Sequence, residues 1–145
     1  MRLNTAFNLF CDYFVWSYQE NFLNYVADGS YDGTVIHRSV DNFVLQGGGF
    51  KFDTDFEAIE TDDAITNEPE LSNVKGTIAM AKLGGNANSA TSQWFFNLKD
   101  NSANLDLQNG GFTVFGEVTV QSMDVLEQIT SLVHCGEIPV VNLNE

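Results

Sequence analysis

The stretch from His37 to Phe50, HRSVDNFVLQGGGF, sets one of the chain's two arginines at the head of an apolar run that ends in three glycines. Six Lys and Arg face twenty Asp and Glu, so cations are scarce, and a solvated surface arginine needs no such setting. Familiar chemistries do not gather around it. His37 and His134 are too few and too isolated for a metal cluster. The run QGGG is not followed by the Lys-Ser/Thr of a phosphate-binding loop. Ser89 and Thr91, in NSAT, have no His–carboxylate pair nearby to activate a hydroxyl, and NSA is not a glycosylation acceptor. Taken singly, Arg38 reads as a surface ion-pair partner, Phe43 and Phe95 as core residues, and His37 as a structural histidine.

The elements that must position these residues are mostly strands. GTVIH, NFVLQ, GTIAMAK, SQWFFNL, FTVFGEV and EIPVV are short β-prone runs bounded by Gly, Asn and Asp, and LNTAFNLF adds a strand near the start. Two helices are expected. In SYQENFLNYVADG, Ser17 and Glu20 fit a capping box, Tyr18, Phe22, Tyr25 and Val26 share a face, and Gly29 ends the helix in a left-handed conformation. SMDVLEQITSLV reads as a second helix, capped by Ser122, with Val125, Ile129 and Leu132 turned to the core. The acidic tract 52–72 reads as a long surface excursion, and LGGNANSAT as tight turns. Many strands with two distant helices fit an antiparallel β-barrel or sandwich with a helix over each open end.

Length and composition bound the rest. The 145 residues make one domain, 1–145, large enough to bury a core without disulfides or structural metal. The net charge of −14 excludes the basic stripe that nucleic acid requires and disfavours anionic membranes. The aromatic run 6–18 is too short to span a bilayer and lacks signal-peptide features, so the expected location is cytoplasmic. Cys11 and Cys135 have no metal or redox spacing and are expected as free thiols.

Three ordered segments, HRSVDNFVLQGGGF, GTIAMAK…SATSQWFFNL and NLD…FTVFGEV, resemble the cyclophilins, especially the shorter bacterial-type members. The resemblance runs from about 20 to 132. It implies a mainly β fold: a closed antiparallel barrel capped by two α-helices, with the N-terminal strand region of this chain incomplete. It also implies a peptidyl-prolyl cis/trans isomerase that needs no metal or cofactor. By the same resemblance the catalytic arginine falls on Arg38, within IHR. The proline pocket falls on Phe43, Val44, Phe95 and Leu105. Gln46 and Gln93 hold the flanking peptide, while Ala81 and Phe112 line the groove. The implied partners are proline-containing peptides and unfolded or folding proteins, bound by a monomer.

Such a constellation suits amide rotation. An X–Pro bond is held by resonance behind a barrier of about 18–20 kcal/mol, and it turns over tens of seconds or more. No bond breaks, so no nucleophile or general base is required. A guanidinium that donates to the prolyl nitrogen bonds the twisted amide only, which is differential binding of the transition state. A guanidinium keeps its proton, and its fork allows a second anchor, here expected to be Gln46. An apolar cup holds the pyrrolidine ring and keeps water from the arginine. The glycines at 47–49 let the strand bend and the backbone pack closely.

The chain departs from the family pattern in places. The aromatic expected before Leu105 is Asn104, which implies weak cyclosporin binding, and the groove histidine becomes Phe112. The start offers one strand where the family has a hairpin, leaving an unpaired edge and exposing Phe14 and Trp16. Near the end, the connection after the second helix shrinks to the loop HCG. Two further functions are therefore open: a barrel that grips proline segments with negligible turnover, and a structural barrel with an incidental groove.

Overall fold

The computed structural model describes residues 16–140 and the backbone of residues 7–9. In chain order the elements are β1 (Phe7–Leu9), α1 (Trp16–Ala27), β2 (Arg38–Val40), β3 (Val44–Gly47), β4 (Phe50–Phe52), β5 (Phe56–Ala58), β6 (Thr77–Met80) and β7 (Trp94–Asn97). They continue with α2 (Ser102–Leu105), a 3-10 turn at Gln108–Gly110, β8 (Val114–Val118), α3 (Val120–Thr130), β9 (Val133–Cys135) and β10 (Ile138–Val140). The main sheet has six strands, antiparallel at every pairing, in the order β1-β8-β6-β7-β3-β2. Two hairpins, β4–β5 and β9–β10, complete the β structure.

Period-2 alternation gives this sheet two apolar faces. One face carries Leu45, Ile78, Met80, Phe96 and Phe115, and α1 (Tyr18, Phe22) and α3 (Leu126) pack over it as the main core. The other face carries Val44, Ala79, Phe95 and Val114, joined by Leu105 in a second buried cluster. A strand buried on both sides needs apolar residues at successive positions, which is why FVL, TIAM and WFF read as continuous runs rather than strict alternation.

Several expectations are met. A strand lies near the start, α1 buries Tyr18, Phe22 and Tyr25, and Gly29 follows it with φ +78°. Trp16 is 63% exposed, whereas Phe14 and Cys11 lie outside the described residues. Cys135 is a free thiol on the surface.

Others need correction. Ser17 does not cap α1: it sits inside the first turn and donates its hydroxyl to Glu68 at 2.8 Å. The second helix begins at Val120 after Thr119. Its core side is Met123, Leu126 and Ile129, so Val125 is turned outward at 53% exposure, and Leu132 falls beyond the helix end. Apolar residues at 125 and 126 made two neighbouring faces equally plausible, and packing under the sheet selected the one containing Leu126. GTVIH is not a strand. It lies extended along β3 and β4, with Val35 N bonded to Phe50 O and His37 N to Gln46 O. Gly48, at φ +75°, bends the partner between β3 and β4 and interrupts the ladder. The tract 52–72 is not wholly irregular, because β5 folds back on β4. HCG is not a loop: Val133–Cys135 is a strand, and the turn of the β9–β10 hairpin is Gly136–Glu137, with Gly136 at φ +67°.

The hydrogen-bonded order of the main sheet does not close on itself among the described residues; β1 and β2 are its edges. The β9–β10 hairpin adjoins the β2 edge through Ser39 N to Glu137 O at 2.6 Å. A third, one-turn helix, α2, was not foreseen. Among the described residues no helix is long and apolar enough to cross a membrane, and no group of three His, Cys, Asp or Glu could hold a metal ion.

Candidate active site

On the outer face, over the second apolar cluster, lies a cleft of about 230 Å³ lined by Arg38, Phe43, Val44, Gln46, Ala81, Lys82, Phe95, Leu105, Gln108 and Phe112. Eight of the nine residues singled out from the sequence meet there. The ninth, Gln93, lies one step away: Gln46 Nε2 donates to Gln93 Oε1 at 2.8 Å. Val44, Phe95 and Leu105 are almost completely buried and form the floor. Phe43 and Phe112 are half-buried walls, the latter edge-on to Phe95 with ring centroids 5.6 Å apart.

Antiparallel pairing sets the polar side. Arg38 lies directly opposite Gln46 in the β2–β3 register, and Gln46 opposite Phe95 in β3–β7. The Arg38 guanidinium stands over the Phe43 ring, 5.8 Å from its centroid, at the outer limit of a cation–π contact. Its anchor is not Gln46, as the sequence suggested, but Glu137, whose carboxylate accepts from Arg38 Nε at 2.8 Å. The two terminal guanidinium nitrogens have no hydrogen-bond partner among the described residues.

The three glycines serve close packing. A Cβ at Gly48 would lie 2.9 Å from the Ser92 carbonyl oxygen and 2.5 Å from Trp94 Nε1; at Gly49 it would lie 2.6 Å from the Gln93 amide. The bare backbone thus lets Trp94 lie flat against the bend and lets Gln93 cross to reach Gln46. His37 stands behind this pair, edge-on to Phe50 at 4.9 Å. Burial pushes its pKa below the usual imidazole value, outweighing contacts to Gln93 and the Val35 backbone that act the other way. A neutral, packed imidazole fits a structural role.

Sequence reasoning missed the supports of the cup. Asn97, fully buried, donates to Asn73 Oδ1 (3.1 Å) and Thr77 Oγ1 (2.9 Å) and accepts from Asn101 Nδ2 (2.8 Å). Asn101 also holds the Phe43 carbonyl at 2.9 Å. Asn73 donates to the Phe112 carbonyl and to Asp106 Oδ1, each at 2.9 Å. One network therefore ties both aromatic walls and the end of α2 together. Burial works against the charged form of Asp106, yet the Asn73 hydrogen bonds prevail and hold its pKa below the ordinary carboxylate value. Lys82 was missed as well. Its ammonium lies 4.7 Å from the centroid of Phe112 and donates to Asn67 Oδ1, Asn109 O and Gly111 O. All three of its donors are engaged, so it staples the rim instead of offering a free charge. Desolvation lowers its pKa. Apart from the Asn97–Asn101 pair, four positions apart, their side-chain partners lie 15–33 positions away and the others are backbone atoms, so these residues have no local motif.

An arginine beside an apolar dimple, with amide side chains alongside, makes a site chemically able to hold an apolar ring and its flanking peptide. The sequence profile of the family described as "Cyclophilin type peptidyl-prolyl cis-trans isomerase/CLD" matches residues 6–143, and the chain belongs to that family. It is 41% identical over 116 residues to a peptidyl-prolyl cis-trans isomerase of Acinetobacter baylyi, covering 78% of this chain and 60% of that protein. It is 40% identical over 116 residues to peptidyl-prolyl cis-trans isomerase B of Escherichia coli, covering 76% and 68%. The chain spans about 60% of the length of the Acinetobacter baylyi and Dickeya dadantii relatives. The fold matches a cyclophilin-type isomerase from Cryptosporidium parvum, crystallised in the presence of the dipeptide Ala-Pro, with a TM-score of 0.68 and 24% identity over 92% of this chain and 84% of that one.

Proposed function

We propose that this chain is a peptidyl-prolyl cis/trans isomerase acting on X–Pro bonds in peptides and folding proteins. One observation carries the reading: Arg38 and the cup of Phe43, Val44, Phe95 and Leu105 line a single concave face. The ring of a proline seats on Phe95 and Leu105 between the Phe43 and Phe112 walls. Gln46, braced by Gln93, holds the chain on one side of the bond while the other side turns. As the amide twists, its nitrogen regains a lone pair, and a terminal N–H of Arg38 donates to it. That hydrogen bond is absent in the planar ground states, so it lowers the barrier for both directions alike. The family membership and the named activity of relatives at about 40% identity support the reading, as does the fold match to a protein crystallised with Ala-Pro.

The six-stranded sheet works, in this reading, as a barrel within a single domain. The hydrogen bond that joins the β9–β10 hairpin to β2 and the helices over the main core support it. A second reading, a proline-segment binder with little turnover, is favoured by the exposed Asn104 where the family carries an aromatic. A protease-coupled assay on an Ala-Pro peptide, with Arg38→Ala as control, separates the two. Turnover that depends on Arg38 supports the isomerase, and binding without turnover supports the alternative.

A further inference from the structure

We propose that Glu137 is a positioning residue for Arg38: it holds the guanidinium by Nε so that the two terminal nitrogens face the cleft. The inference rests on the isomerase reading and names what aims its central group.

An arginine side chain is long, with about 2 kcal/mol of rotamer entropy. Arg38 is 36% exposed along its side chain, so packing alone does not fix it. Its cross-strand neighbour Gln46 turns its amide nitrogen to Gln93 and makes no hydrogen bond to Arg38 through its side chain, and Phe43 offers only a ring face at 5.8 Å. Among the described residues its one side-chain hydrogen bond is to Glu137 Oε2, at 2.8 Å. That contact takes Nε and leaves the four terminal N–H bonds free, which is the end of the fork that can reach a substrate amide.

The fold supplies this carboxylate from a fixed place. Glu137 stands in the two-residue turn of the β9–β10 hairpin, after Gly136 at φ +67°. Its own carbonyl accepts from Ser39 N at 2.6 Å, the residue directly after Arg38. Main chain and side chain of Glu137 thus grip adjacent residues of β2. The reach is 99 positions along the chain, which explains why no motif around IHR foretells it. Exposed ion pairs add little to stability, so the contact is assigned to aim and not to holding the fold together.

The test compares Glu137→Ala and Glu137→Gln in the full chain, each alone and combined with Arg38→Ala. Glutamine retains an acceptor for Nε–H and is expected to keep kcat/KM within about twofold of wild type, while alanine lowers it by roughly fivefold, mainly in kcat. With Arg38 already removed, Glu137→Ala is expected to change nothing further. The ¹H–¹⁵N signal of the Arg38 Nε–H, protected from solvent exchange in the wild type, is expected to lose that protection in Glu137→Ala and keep it in Glu137→Gln. An equal loss of activity in both Arg38 backgrounds, a gain of activity in Glu137→Ala, or an Nε–H signal indifferent to Glu137 would overturn the proposal. Absence of turnover in the wild type would defeat the isomerase reading instead, and the Nε–H measurement would still decide the role of Glu137.

Discussion

Replacing Asn97 by alanine removes the centre of the network behind the cleft, and the cost can be worked bond by bond. Thr77 Oγ1 keeps its own bond to Val74 O at 2.8 Å, and Asn101 keeps the Phe43 carbonyl. Two groups lose their partner in a buried setting: Asn73 Oδ1 and the second N–H of the Asn101 amide. A buried polar group left unsatisfied costs about 1–3 kcal/mol. A water entering the vacated space recovers part of that, so the expected loss is about 2–4 kcal/mol. That is a large share of the roughly 5–15 kcal/mol that holds a domain folded. Because Asn101 and Asn73 clamp the carbonyls of Phe43 and Phe112, the walls of the cup should loosen too, raising KM for a proline peptide. Urea titration measures the first effect and peptide kinetics the second. A stability change below about 0.5 kcal/mol, with KM unaltered, would refute the claim that these asparagines support the site.

Two other outcomes follow from the same geometry. Burial lowers the folded-state pKa of His37, so the unfolded chain takes up that proton more readily. Its contribution to stability is complete above about pH 6.5 and falls as pH drops from there toward the folded-state value. Urea midpoints at pH 7.5 and 5.5 should therefore diverge in the wild type and converge in His37→Gln; an equal midpoint difference in both proteins would contradict this. Asn104 is exposed on α2 where the family's cyclosporin-contacting aromatic stands. Calorimetric titration should show weak cyclosporin binding that Asn104→Trp tightens by roughly tenfold or more, and tight binding by the unaltered chain would be the opposing result.

What the sequence disclosed, and what it hid, follows from how far each interaction reaches. The cup was legible through the resemblance to the cyclophilins, whose ordered motifs fall on Phe43 to Gln46 and Gln93 to Phe95; taken singly, Phe43 and Phe95 read as core residues, and the antiparallel β3–β7 pairing is what sets these segments side by side. The glycines after Gln46 were legible as close-approach positions, although not that Trp94 and Gln93 would be the groups approaching. The phase of α3 was ambiguous because Val125 and Leu126 are both apolar, and only the sheet above chooses between them. The strand at Val133–Cys135 was hidden because a three-residue run flanked by glycine reads as a turn until its partner, Ile138–Val140, folds back on it. Asn97, Lys82 and Glu137 carry no local signature. Each is an ordinary polar residue until the fold brings Asn73, Gly111 or Arg38 against it.

The central claim is that one guanidinium over an apolar cup speeds the rotation of a prolyl bond. Exchange NMR on an Ala-Pro peptide tests it most directly, by comparing the wild type with Arg38→Ala at matched peptide occupancy. The account predicts cis/trans exchange cross-peaks in the wild type and an exchange rate lower by roughly 100-fold or more in the variant, with peptide shifts retained. Equal exchange rates in the two proteins, or shifts without exchange in the wild type, would contradict it.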